Sequence, residues 1–205
     1  MILLGAFIFL LALIYAFLEI EMEGKFGWAE KIPTWYSKKG IAKFISKLNN
    51  EKPVTGYHLY MTLFIFGIFH LLFFITTTWT LVLELQVISY YLLFSIFEDF
   101  LWFVFNPYYG LKNFRKDRIW WHSDVYWIFG KVPLLYVFAI LLSAVFAILS
   151  SIILAGYSNF YDFLVSLVIA VLLTMISTLF VPAYKKWYFK MRKEDGRKKA
   201  VIFHK

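Results

Sequence analysis

The chain has 205 residues, 61% of them hydrophobic and 22% aromatic, with 21 basic against 13 acidic side chains for a net charge of +8. A composition this apolar excludes a soluble globular fold and predicts a single all-α integral membrane domain. No cysteine is present, which removes disulfides, thiol nucleophiles and thiolate metal sites. The basic excess is accounted for by membrane topology, so no nucleic-acid partner is expected.

Residues 1–18 are the first of five apolar stretches, which fall at about 1–18, 57–77, 80–105, 132–155 and 160–184. Each is close to the ~20 residues that cross a hydrocarbon core of about 30 Å. Each is read as a transmembrane helix, because lipid offers the backbone no other partner. The first carries no basic leader and no small-x-small cleavage site, so it is expected to be retained as a helix. Glu19, Glu21 and Glu23 follow it directly. If the helix continues, Glu19 and Glu23 share a face at i and i+4; if the chain extends, all three share one. Gly24 and Gly27 then allow a sharp turn.

Residues 38–48 place Ile41, Phe44, Ile45 and Leu48 on one helical face and Lys38, Lys39, Lys43 and Lys47 around the other. This pattern predicts a short amphipathic helix lying in the membrane interface. His58 enters the second stretch, and His70 lies deeper in it. A tight turn near Trp79 leads into the third stretch, so His70 and Glu84 fall at similar depth on adjacent antiparallel helices. A structural hydrogen bond between them is expected, because polar groups in neighbouring spans pair with one another.

Glu98 and Asp99 sit roughly 10 Å inside the end of the third stretch that Pro107 closes. An acidic side chain at the centre of a span costs about 2.5–3.5 kcal/mol, so these two are expected to face the bundle and not the acyl chains. The following loop carries Lys112, Arg115, Lys116, Arg118, His122 and Asp124. The fourth and fifth stretches carry small residues at every fourth position, Ala139, Ser143, Ala147, Ser151 and Ala155, then Ser166, Ala170, Thr174 and Thr178. Such faces let helices approach closely. They predict that these two spans zip together, or alternatively that they form a homo-oligomer.

Charge fixes the expected orientation. Seven lysines lie between the first and second stretches, five basic residues between the third and fourth, and nine after the fifth, while the turns at 78–79 and 156–159 carry none. The positive-inside bias then places the amino terminus outside and the basic loops and the tail, residues 185–205, in the cytoplasm.

Topology brings the acidic pair of the third span to the depth of several other polar groups. Glu98 and Asp99 are the candidate catalytic acid–base residues. Glu19, Glu21, Glu23, His58 and His122 are candidate ligands of a divalent metal, a hard-to-borderline set suited to Mg, Mn, Fe or Zn. Lys112, Arg115, Lys116 and Arg118 are candidate contacts for an anionic headgroup, either of bulk membrane lipid or of a lipid or prenyl-phosphate substrate. For each histidine alone, a packing role is the simpler reading. Two other classes stand beside this one: a non-catalytic scaffold that binds a partner, and a small transporter or ion-conducting oligomer. The lack of an internal repeat counts against transport.

Overall fold

A computed structural model describes residues 2–48, 52–119 and 125–194. It is a helical bundle with seven α-helices among the described residues: α1 Ile2–Glu23, α2 Ile41–Leu48, α3 Gly56–Thr76, α4 Leu81–Phe105, α5 Leu134–Ile153, α6 Ser158–Ser177 and α7 Val181–Glu194. Two short antiparallel pairs join the loops, β1 Tyr36–Ser37 with β2 Val54–Thr55, and β3 Trp127–Ile128 with β4 Val132–Pro133. Five helical rods are long and apolar enough to cross a membrane: α1, α3, α4, α5 and the continuous stretch Ser158–Glu194. These five make the chain a multi-pass membrane protein by length and composition.

The first and last rods outrun the apolar stretches that predict them. α1 continues through its three glutamates and stops where Gly24 takes a φ of +61°, the left-handed turn that glycine adopts without strain. α6 passes through a 3₁₀ turn at Thr178–Phe180 into α7. Pro182 lies in the first turn of α7, where its missing N–H breaks no intrahelical bond.

α4 is the axis of the bundle, with its longest seams against α5 and α1. Leu101 through Phe105 are buried in succession, so this end of the helix is enclosed on every side. The α4–α5 seam closes through small side chains. Ser89 Oγ donates to the Ser143 carbonyl at 2.8 Å, and Ser143 Oγ donates to the Ser89 carbonyl at 2.6 Å. α1 meets α6 as tightly, since a Cβ on Gly5 would fall 2.7 Å from the Ser166 carbonyl oxygen.

The small-residue faces therefore do more than join the fourth and fifth spans to each other. α5 packs more extensively on α4 than on α6, and α6 packs chiefly on α1. Ser151 still bridges α5 to α6, its Oγ accepting from Phe160 N at 2.8 Å. α3 is the peripheral member, with Gly56 and Ile65 as its buried residues. Leu63, Phe64, Leu71, Leu72 and Phe74 are exposed, as suits a helix bathed in lipid, while Phe69 packs on Tyr91 and Phe94 of α4, and space remains between α3 and α1.

Candidate functional site

That space is a cavity of about 410 Å³ at the end of the bundle where the basic connections lie. α1 lines it with Tyr15, Glu19 and Glu23, α3 with His58 through Ile65, α4 with Tyr91, Phe94, Glu98, Asp99 and Trp102, and the first loop with Trp28. Four carboxyls and one imidazole thus reach one cavity from three helices.

Helical geometry selects which glutamates arrive. Because α1 remains helical, Glu19 and Glu23 share the cavity face at i and i+4. Glu21 points elsewhere and pairs in solvent with Arg192, whose Nη2 lies 2.8 Å from its Oε2.

The turn after α1 is shaped around Glu23. Trp28 and Ala29 take φ values of +48° and +53°, a left-handed conformation that side-chain-bearing residues rarely adopt and that is retained where surrounding contacts enforce it. The turn swings the Ala29 N–H onto Glu23 Oε1 at 2.6 Å. Residues after α4 hold it from behind. Asn106 Nδ2 donates to the Gly24 carbonyl at 2.8 Å, and Tyr109 donates to the Phe26 carbonyl at 3.1 Å. Burial and the nearby Glu23 and Glu30 charges raise the Tyr109 phenol above its ordinary pKa, which keeps it a donor.

His58 is oriented through its Nδ1. Thr55 caps α3, its Oγ1 accepting from the His58 backbone N–H at 3.1 Å while lying 2.7 Å from Nδ1. With the hydroxyl proton directed to Nδ1, a neutral imidazole carries its own proton on Nε2. That nitrogen stands 3.6 Å from Glu23 Oε1. The indole of Trp28 stacks on the imidazole at 4.2 Å between centroids, and Lys52 Nζ lies 4.4 Å from the Trp28 ring centre. Lys52 is buried, and that burial pulls its pKa down to about 8, with Asp99 opposing the shift.

The two adjacent acids of α4 are used differently. Asp99 accepts a hydrogen bond from the Tyr136 hydroxyl of α5. Glu98 comes within hydrogen-bonding reach of Glu19. Two carboxyls that close in a low-dielectric setting are held together by a shared proton or by a cation between them. Glu98 Oε1 is cut off from solvent and has no hydrogen-bond partner.

Other candidates lie apart from the cavity. Lys112, Arg115 and Lys116 line a separate surface cleft with Phe129 and Lys131. Arg115 and Arg118 pair with Asp117 at 3.4 and 3.6 Å. His122 and Asp124 lie outside the described residues. His70 Nε2 stands 3.1 Å from Glu84 Oε1 near the opposite end of the bundle, with His70 Nδ1 2.7 Å from the Phe66 carbonyl and Trp79 Nε1 donating to Glu84 Oε2 at 2.9 Å. Among the described residues, no group of three His, Asp or Glu side chains is arranged to hold a metal ion.

Sequence reasoning passed over Trp28, Lys52, Thr55, Asn106, Tyr109 and Tyr136. One signal for them exists, the asymmetric distribution of tryptophan, with seven of eight at the basic end. Comparison with protein-family models, with curated proteins and with solved structures finds no match to this chain.

Proposed function

We propose that the cavity between α1, α3 and α4 is the working site of the protein, a membrane-embedded acid–base centre that handles a proton or a cation of a lipid-soluble substrate. Glu98 and Glu19 exchange the proton, His58 with Glu23 forms a second proton-carrying pair, and Asp99 is steadied by Tyr136. The amino terminus lies outside and the basic connections inside, which sets the cavity at the cytoplasmic leaflet. α2 lies in the interface there, its exposed Ile41, Phe44 and Ile45 directed to the acyl chains.

The observation that carries this reading is the convergence of Glu19, Glu23, Glu98, Asp99 and His58 on one cavity from three helices. An acidic side chain within a span is costly, so four of them around one cavity favour use over folding alone. A divalent ion in this cavity is a separate proposal that requires the described carboxyls and His58 to rearrange around it, and elemental analysis of purified protein tests for it. Lys112, Arg115 and Lys116 at their own cleft, and Arg118 beside them in sequence, meet the anionic headgroups of bulk lipid.

Dicyclohexylcarbodiimide partitions into membranes and adds to protonated carboxyls, leaving an N-acylurea that peptide mass spectrometry locates. Adducts at Glu19 or Glu98, and none at the solvent-facing Glu21, are the expected result. Labelling absent from both Glu19 and Glu98 contradicts an acid–base centre open to the lipid.

A further inference from the structure

The shape and lining of the cavity point to one class of substrate. Among the described residues its lining carries Glu19, Glu23, Glu98 and Asp99 and no lysine or arginine, Lys52 lying against the Trp28 ring, so an anionic headgroup meets four carboxyls there. A positive head meets the reverse. Aromatic rings complete the lining, among them Tyr15, Tyr91, Phe94 and Trp102. An ammonium over an indole is attracted to the negative face of the ring and favoured further by desolvation. Glu98 and Glu19, which reach the same wall from two helices, are the acids such a head meets.

The remaining dimension is length. From His58 the cavity follows α3 to Ile65, and from Glu98 it follows α4 back to Tyr91, in each case seven residues or roughly 10 Å along the helix. This inner half is lined by Met61, Ile65 and Phe94 and holds no charged group. A volume of about 410 Å³ falls in the usual range of small-molecule sites, about 300–1,000 Å³, and far exceeds what one ion occupies. Resting on the reading of this cavity as the working site, we propose that its substrate is an amphiphile with a cationic ammonium head. The head sits at Glu19 and Glu98 against the aromatic lining, and the tail runs between α1 and α3 into the membrane.

The test uses the intact chain in nanodiscs of neutral lipid. Hexyltrimethylammonium, hexylsulfonate and hexanol, all too short to form micelles at working concentration, are titrated by calorimetry. The ammonium is expected to bind, the sulfonate and the alcohol at least tenfold more weakly. Glu98→Gln should weaken the ammonium at least tenfold, while Glu21→Gln leaves it unchanged. Equal binding of the sulfonate, or ammonium binding unaltered in Glu98→Gln, overturns the proposal. Ammonium that binds nowhere while Mn²⁺ binds and is lost in Glu98→Gln overturns it in favour of a metal site. If Glu98→Gln does not fold, protection of wild-type Glu98 from carbodiimide by hexyltrimethylammonium replaces it, and lack of protection counts against the proposal. Carbodiimide labelling of Glu98 without ammonium binding removes this inference and leaves the acid–base centre standing, whereas absent labelling removes the centre itself.

Discussion

Two histidine–glutamate pairs sit at opposite ends of the same bundle, and they are built to opposite specifications. At the Trp79 end, His70 and Glu84 meet at 3.1 Å and every polar atom is engaged, with Phe66 taking one imidazole nitrogen and Trp79 the second carboxylate oxygen. At the basic end, His58 and Glu23 stand 3.6 Å apart beside a cavity, and the neighbouring Glu98 keeps an oxygen unpartnered. Residue type alone does not separate the pairs. The first closes a helical hairpin and has no bonding capacity left, while the second holds its capacity in reserve. The serine seam between α4 and α5 belongs with the first, since Ser89 and Ser143 satisfy each other completely.

The contrast is most strongly tested where the structure is closed. Gly5→Leu drives a side chain into the Ser166 backbone, the ideal Cβ alone lying 2.7 Å from its oxygen. The α1–α6 seam then has to open, at a cost of about 3 kcal/mol. Denaturant unfolding in mixed micelles should show that loss. A stability within about 0.5 kcal/mol of wild type would show that the seam is looser than drawn.

A smaller effect comes from Lys52 beside the cavity. Its folded pKa of about 8 lies below its ordinary value of 10.5, so between those values the unfolded chain holds more protons than the folded one. Stability therefore rises with pH across that window, and below pH 8, where both states are protonated, the burial cost is present in full. Lys52→Met removes the dependence. Between pH 8 and 10 the wild type should gain about 1–2 kcal/mol on the variant, and parallel Tm profiles for the two proteins would refute the buried ammonium.

Much of this architecture can be read from residues alone, and the part that cannot has a physical reason. Lipid forces helices on apolar stretches, so α3 at Gly56–Thr76 and α4 at Leu81–Phe105 fall within a residue or so of stretches 57–77 and 80–105. The end of α1 is harder to read, because three glutamates look like the start of a loop while the backbone ladder runs on beneath them until Gly24. Depth is legible too, which is why Glu19, Glu23, His58, Glu98 and Asp99 could be grouped. Azimuth is not. Lys112, Arg115 and Lys116 follow the end of α4 yet open onto a different cleft, since rotation about the bundle axis leaves no mark on hydropathy. The turn at Trp28 and Ala29 is still less visible, because a left-handed conformation at residues other than glycine contradicts local preference and is imposed by partners such as Asn106 and Tyr109.

The measurement that bears most directly on a reserved cluster is the thermal unfolding of Glu84→Ala and Glu98→Gln side by side in the same nanodiscs. Glu84→Ala strands the His70 and Trp79 donors and should cost about 1 kcal/mol. Glu98→Gln keeps the shape of the side chain, removes a buried acid and supplies a donor toward Glu19, and should leave Tm equal to wild type or above it. A Tm for Glu98→Gln that falls as far as that of Glu84→Ala would mean that both ends of the bundle serve the fold alone.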